Sequence, residues 1–493
     1  MQALNSIFAM NIIVPWILAM FLGIFVGGIP GLTATMAVAL IVPLTYHMVP
    51  IAGLAMIIGV SFTSIFAGDI PATFLRIPGT PASGAAVLDG YELTKRGQGY
   101  LAITLDLVCS ALGGVIGILI LIFVSPVLAG FALQFTHYEY FWLGVLGLSM
   151  SAVISRTSKL KGVISIALGV LISTIGIDIT TGYPRFAFGK PVLMGGIGFI
   201  PAMIGLFGVS EVFRSILSST DLSLSVITTK GRVKYGEVMG HVGRNLRLIV
   251  QSSVVGSVIG ALPGAGADVA AWVAYGTAKK SSKTPEEFGT GSIEGVIAPT
   301  SANNAALGGS WVPALVFGIP GDTITAIVLG AMLMYGLKPG PLIFENERFL
   351  VDQIFSVGLV SQVFLLVIGF LGIKAYSWIF RFPRNVVYAG ILIFSMVGSF
   401  AMRSSLFDVW LVLGFGVLGY VMEKVEIPLV PLILGIILGP MIEANLRIGL
   451  IKTDGRFMPF LGRPISFTLF LILAGLFLWE PLTALVRMVR RKR

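Results

Sequence analysis

Two adjacent asparagines in an apolar run are the first residues with evident chemistry in this chain. They lie in Ala298-Pro299-Thr300-Ser301-Ala302-Asn303-Asn304-Ala305-Ala306. An asparagine carbonyl is a neutral oxygen ligand suited to Na+, and its amide can donate to a carboxylate. The alternative for Asn303 and Asn304 is interhelical hydrogen bonding, about 0.6–2 kcal/mol per contact. Two acids stand near helix-breaking glycines and prolines, Asp268 after Pro263-Gly264-Ala265-Gly266 and Asp322 after Ile319-Pro320-Gly321. An ionisable group in an apolar run is costly at the bilayer centre and marks a functional site by default. Asp268, Asp322, Thr300, Asn303 and Asn304 are therefore the candidates for binding a coupling Na+ or H+. Asp69, Asp106, Asp178 and Glu211 also fall in apolar runs. For Asp69 the sequence offers a local pair with Arg76, and for Asp106 a pairing with some basic group.

Four interrupted elements surround these residues. In Gly27-Gly28-Ile29-Pro30-Gly31-Leu32-Thr33-Ala34-Thr35 an apolar helix stops and another begins. A restarting helix presents unpaired N–H groups and the positive end of its dipole, which suits an anion. Thr33 and Thr35 add hydroxyls able to cap that end or meet a ligand. The second element, Arg76-Ile77-Pro78-Gly79-Thr80-Pro81-Ala82-Ser83, carries two prolines that cannot both sit deep in one intact helix. The remaining two are Leu262-Pro263-Gly264-Ala265-Gly266 and Gly318-Ile319-Pro320-Gly321-Asp322-Thr323. The predicted substrate-binding set is accordingly Pro30, Gly31, Thr33, Thr35, Pro78, Gly79, Thr80, Ser83, Pro263, Gly264, Gly266, Ser301, Asn303, Asn304, Pro320, Gly321 and Thr323. A proline kink with a capping side chain is the alternative for the first pair, and a tight loop packed on a helix for the second.

The four elements form two copies. Pro30-Gly31 recurs 233 residues on as Pro263-Gly264, and Pro71, Pro78 and Gly79 recur 242 residues on as Pro313, Pro320 and Gly321. Ser149-Met150 and Arg156 are matched by Ser395-Met396 and Arg403. Corresponding broken segments in two halves of a membrane protein point to a transporter's substrate site. The halves read as 11–214 and 248–447, joined by a basic connection over 215–247 and followed by a last helix and basic tail over 448–493.

Composition supports a membrane chain. It is 56% hydrophobic and only 11% charged, with a mean hydropathy of +0.95, and no Lys, Arg, Asp or Glu occurs between Ala3 and Gly68. At about 20 apolar residues per spanning helix, about 10 to 12 membrane segments are expected, some incomplete. In lipid, breaks are tolerated only where protein or a polar cavity satisfies the backbone. The net charge of +10 lies in short connections, as in a multispanning protein, and calls for no nucleic-acid partner. Where one copy has a basic loop the other does not: Tyr46 to Pro50 lacks Lys and Arg, while its counterpart carries Lys279, Lys280 and Lys283. Opposite membrane orientation of the halves follows. Arg447, Lys452, Arg456 and Arg463 before the last helix, with a basic tail after it, fit that pattern poorly. The N-terminal apolar stretch has no basic leader and reads as a retained helix. One cysteine, Cys109, excludes an intramolecular disulfide and a Cys-cluster metal site. No Gly-Lys-Ser/Thr phosphate loop or HExxH occurs, and His47, His137 and His241 are scattered. Neither nucleotide hydrolysis nor an organic cofactor is expected. The rivals to a carrier are a passive anion channel, which needs no paired broken elements, and an intramembrane enzyme, which needs an acid–base cluster the sequence lacks.

At these motifs the sequence resembles the large TctA-type permease of the tripartite tricarboxylate transporter family. The resemblance rests on GGIPGLTATMAVALIVPLTY from Gly27, IPGTPASGAAVLDGYELTKRGQG from Ile77, GIDITTGYPRFAFG from Gly176, GALPGAGADVAAWVAYGTAK from Gly260 and EGVIAPTSANNAALGG with VPALVFGIPGDTITA from Glu294. It implies an all-α polytopic membrane protein with two inverted-topology repeats, discontinuous helices and re-entrant hairpins, in the bacterial inner membrane. It also implies carboxylate import by H+ or Na+ symport, with a small four-helix TctB-type membrane subunit and a periplasmic TctC-type solute-binding protein as partners. Pro30, Gly31, Pro78, Gly79, Pro263, Gly264, Asn303, Asn304, Pro320 and Gly321 match the family's motif positions. Thr300 and Asp322 depart from them, since the family more often has Glu at the first and a small residue at the second.

Overall fold

A computed structural model of the chain describes residues 2–154, 158–178, 181–217, 235–379 and 384–491. Arg156, Lys230, Arg232, Lys234, Lys492 and Arg493 lie outside these. Among the described residues the chain is helical apart from one hairpin of two-residue strands, β1 (Gly176–Ile177) and β2 (Pro184–Arg185). The first half supplies α1 (Met10–Gly27), α2 (Ala34–Thr45), α3 (Pro50–Leu75), α4 (Val87–Lys95), α5 (Gly99–Ala132), α6 (His137–Ile154), α7 (Lys159–Ser173) and α8 (Phe199–Leu217). The second supplies α9 (Leu246–Gly260), α10 (Gly266–Ser281), α11 (Ile293–Phe317), α12 (Thr323–Met334), α13 (Arg348–Ile379), α14 (Arg384–Arg403), α15 (Leu406–Lys424) and α16 (Leu429–Lys452), followed by α17 (Pro464–Arg491). The protein is thus an all-α, multi-pass membrane protein.

Eight of these helices, α1, α3, α5, α8, α13, α14, α15 and α16, are long and apolar enough to cross a bilayer. Shorter apolar stretches occur at α2, α9, α12 and within α17. α11 has 25 residues, about 37 Å at 1.5 Å per residue, which is long enough to span. Its Asn, Ser and Thr content lowers its hydropathy, and it is buried along almost its whole length. Neighbouring helices, not lipid, surround it.

The chain forms two compact units, Met1–Gly130 with Gly198–Val425 and Phe131–Ile197 with Glu426–Arg493. Each draws on both sequence halves. Ser149 and its counterpart Ser395 accordingly fall in different units.

In the larger unit, small residues let helices meet backbone to backbone. Gly23 and Gly27 on α1 face α3, and a methyl group at Gly27 would stand 2.3 Å from the Ser64 carbonyl oxygen. The equivalent Gly256 and Gly260 on α9 face α11, where the corresponding distance from Gly260 to the Ala306 oxygen is 2.2 Å. Glycines four apart allow this approach, and without a hydrophobic drive between helices in lipid, van der Waals contact of this kind holds them together. The two long inner helices also end alike. The Pro71 carbonyl accepts from Arg76 and Ile77 N–H, and the Pro313 carbonyl from Gly318 and Ile319 N–H. Arg76 and Gly318 both take left-handed backbone, at φ 61° and 68°. This is a glycine-type C-terminal cap, with an arginine doing the job in the first copy. Arg76 is set over the Tyr91 ring at 5.7 Å.

A buried carboxylate ties the halves of this unit together. Asp89 Oδ1 accepts from the backbone N–H groups of Gly289 (2.8 Å), Gly291 (2.8 Å) and Ser292 (2.7 Å), and Oδ2 accepts from the Tyr275 hydroxyl (3.0 Å). The loop that enters α11 is thereby fixed to α4 and α10.

In the smaller unit, Gly169 on α7 meets the Leu432 backbone of α16, and Gly144 on α6 meets Met441 and Ile442. Asp178, buried beyond β1, is paired with Arg447 at 2.8 Å and Arg185 at 3.8 Å, and Arg185 also holds Glu443 at 2.6 Å. Glu139 is paired with Arg463 at 2.9 Å. Arg447 and Arg463, the awkward basic residues before the last helix, are therefore ion-paired within their own unit, and Asp178 is a structural group.

Gly27→Ala and Gly260→Ala should each destabilise the purified protein by about 1–3 kcal/mol, because neither facing carbonyl can withdraw without separating the helices. Gly276→Ala, on α10 with nothing within 4 Å, should leave the melting temperature unchanged or slightly raised. Equal effects at all three positions would contradict backbone-to-backbone packing.

Candidate functional site

The four interrupted elements meet in a ring within the larger unit. Gly79 N–H donates to the Gly68 carbonyl at 3.0 Å, and Gly79 lies against the Gly27 carbonyl, joining the second element to the first. Gly321 lies in the same way against Gly260 and Ser310, and its carbonyl accepts from Gly264 N–H at 2.8 Å, joining the fourth element to the third. Gly68 and Ser310 are themselves equivalent positions, so the two copies make matching contacts. Two further contacts cross between copies. The hydroxyls of Thr35 and Thr323 hydrogen-bond at 2.8 Å, bringing the N-terminal turns of α2 and α12 together. Gly84, at the end of the short 3-10 turn Pro81–Gly84, lies against the Trp272 ring of α10.

Local chemistry explains each turn. Thr33 caps α2, accepting from Met36 N–H at 3.2 Å. Asp322 caps α12 in a reciprocal capping box: its carboxylate accepts from Thr325 N–H (2.7 Å) and hydroxyl (2.6 Å), while Asp322 N–H donates back at 3.0 Å. Such a cap satisfies the orphan amides of a helix start. Asp322 therefore has a structural duty at the site, as the cap of α12. Gly31, Gly264 and Gly266 have φ of 94°, 84° and 60°, backbone that side-chain-bearing residues adopt only at a cost. A methyl group at Gly266 would meet the Asp322 Cβ at 2.9 Å.

Exposure divides the predicted residues into two groups. Gly31, Thr33, Thr35, Pro263, Gly264, Asp268 and Thr323 are partly accessible, and Pro78 is exposed. Pro30, Gly79, Thr80, Ser83, Gly266, Pro320 and Gly321 are buried and build the turns. Thr80 and Ser83 hydrogen-bond each other at 2.9 Å. Thr300, Ser301, Asn303 and Asn304 are buried on α11. The Thr300 hydroxyl bonds the Val296 carbonyl of its own helix at 2.9 Å, whereas Ser301 Oγ, Asn303 Oδ1 and both amide atoms of Asn304 have no hydrogen-bond partner. What the arrangement offers a ligand is the α2 start, three threonine hydroxyls and glycine backbone, with no cationic side chain among these residues; the α12 start is already occupied by the Asp322 carboxylate. That suits an anion held by amides and hydroxyls.

Two acids carry more weight than the sequence reading gave them. Asp69 is fully buried and its partner is Asn303, Nδ2 to Oδ2 at 3.4 Å, not Arg76. Asp106 is buried with Ser110 at 3.4 Å and has no basic partner among the described residues. The signal was present in the chain, an acid within an apolar run, but the pairing with Asn303 spans 234 positions and only the fold reveals it. Glu211, by contrast, is ion-paired with Arg214. Among the described residues no group of three His, Cys, Asp or Glu could hold a metal ion.

The profile of the Tripartite tricarboxylate transporter TctA family matches residues 13–434. The chain belongs to that family and is a component of a tripartite carrier system. It is similar to a protein of Agrobacterium vitis described as "Uncharacterized 52.8 kDa protein in TAR-I ttuC' 3'region", at 33% identity over 452 residues, 91% of this chain and 89% of that one. A second protein of the same organism, "Uncharacterized protein in TAR-II ttuC' 3'region", is 35% identical over 238 residues, 48% of this chain and 97% of its own. No solved structure matches the chain.

In a double-mutant cycle, Thr35→Val and Thr323→Val should couple by about 0.6 kcal/mol and by no more than about 1.7, read from thermal unfolding of the purified chain. Strict additivity would mean that the two helix starts do not support one another.

Proposed function

We propose that this chain is the permease subunit of a secondary transporter that imports carboxylates across the bacterial inner membrane by symport with Na+ or H+. The closed ring of four interrupted elements carries the reading. A carrier's midplane site is typically formed by discontinuous helices whose N-terminal ends face an anionic group, and the α2 start, joined to α12 through Thr35 and Thr323, supplies such an end. Thr33, Thr35, Thr323 and the backbone at Gly31 and Gly264 would hold the carboxylate. The buried residues Gly79, Thr80, Ser83, Gly266, Pro320 and Gly321 would keep the turns in register, and Ser301, Asn303 and Asn304 would supply polarity behind them. Basic residues in one loop and their absence from its equivalent support inverted orientation of the two copies. Alternating access would then follow from rocking of one part around the fixed ring. Membership of a tripartite family supports operation with a small TctB-type membrane subunit and a periplasmic TctC-type binding protein that delivers substrate.

The test is uptake of a panel of labelled di-, tri- and aromatic carboxylates into proteoliposomes holding both membrane subunits, with the binding protein present. Uptake of at least one acid should require a cation gradient and stop when the gradient is collapsed. Accumulation that persists without any gradient would identify a passive channel instead. Asn304→Ala should lower the uptake rate by about tenfold or more, in the range of losing a buried polar contact of about 1.4 kcal/mol, with assembly unchanged. Normal transport by that variant would remove Asn304 from the machinery.

A further inference from the structure

Beneath the second interrupted element lies a group of buried oxygens with nothing to balance them. Asp69 on α3 and Asp106 on α5 are 0% and 1% exposed, and their charges are close enough to act on one another. Neither forms an ion pair with a Lys, Arg or His among the described residues. Asn303, also 0% exposed, reaches Asp69 with its amide nitrogen at 3.4 Å. Ser83 lies close enough to interact with the same carboxylate. α5 turns one face to α11, with Asp106, Ser110, Gly113 and Gly117 at helical spacing: Gly113 abuts the Ser301 carbonyl, Gly117 the Ala305 carbonyl, and the Ser110 hydroxyl lies between Asp106 (3.4 Å) and the Thr300 carbonyl (3.5 Å). Three oxygens of this group, Asp69 Oδ1, Asp106 Oδ2 and Asn303 Oδ1, have no hydrogen-bond partner.

Unpartnered buried oxygens call for an explanation, and a bound ion is one of the few available. The Asn303 carbonyl can only accept. Two carboxylates and a neutral amide carbonyl form a hard, all-oxygen donor set without His or Cys, which fits a hard cation and not a soft or imidazole-preferring metal.

We infer that Asp69, Asp106 and Asn303 form a Na+ site between α3, α5 and α11. This rests on the carrier reading and names its coupling ion. The site adjoins the anion-binding ring, since Gly68, next to Asp69, accepts the hydrogen bond from Gly79, and Ser83 belongs to the same turn. Na+ would neutralise the acid pair and fix that turn, so that ion and substrate stabilise the same arrangement.

The test is binding of radiolabelled Na+ to the purified full-length chain in detergent, in choline buffer and without substrate, together with the Na+-dependent rise in melting temperature that linkage requires. Wild type should bind Na+ saturably. Asp69→Asn and Asp106→Asn should weaken binding by at least about tenfold and abolish the thermal shift. Asn303→Ala, which keeps both acids, should weaken it less and guards against misfolding of the acid variants. Saturable binding that no substitution alters would overturn the assignment, as would absence of Na+ binding in wild type. Symport driven by H+ alone, indifferent to Na+, would overturn it equally. Because binding is read without a carboxylate, failure of the uptake panel with Na+ binding intact would defeat only the carrier reading.

Discussion

Everything in the larger unit depends on how closely two pairs of helices approach. α1 lies on α3 and α9 on α11 with glycine facing backbone carbonyl, and these contacts place Gly27 and Gly260 where the second and fourth interrupted elements can reach them. A side chain at either glycine would hold the turn away, and Gly79 and Gly321 could no longer dock. The same small residues that supply packing energy in a medium without a hydrophobic drive therefore also set the position of the ring. Matching contacts at Ser64 and Ala306, and at Gly68 and Ser310, show that both copies use one solution.

Polar groups follow from this frame. Interrupted helices are tolerated at membrane depth only where something satisfies the exposed backbone. Here the fourth element uses Asp322 and Thr325 as a capping box, the first uses Thr33, and the second and third borrow carbonyls from Gly68 and Gly321. Once those amides are partnered, the accessible remainder is a short list of threonine hydroxyls and glycine backbone.

The buried acids separate into two kinds. Asp178, Glu139, Glu211 and Asp408 each have an arginine partner, and Asp89 is saturated by three backbone amides and a tyrosine. Asp69 and Asp106 have neither. Burial of a charge is expensive unless it is paired, so Asp69 and Asp106, hydrogen-bonded to Asn303 and Ser110 but without an ion pair among the described residues, stand out.

Read alone, the sequence determined the class of molecule and the parts of the site. Apolar runs with basic connections define a multi-pass membrane protein, and the repeated Pro-Gly signatures mark where helices break, because both properties are local. It could not divide the chain into its compact units: those are set by which helices pack together, and each combines segments more than a hundred residues apart. Nor could it assign the acids. The capping turn of Asp322 appears only in the fold, and Asp69 looked like a partner for Arg76, seven residues away, when its neighbour is Asn303. Whether a carboxylate is capped, paired or left open depends on what a distant helix brings to it, and only tertiary structure decides that.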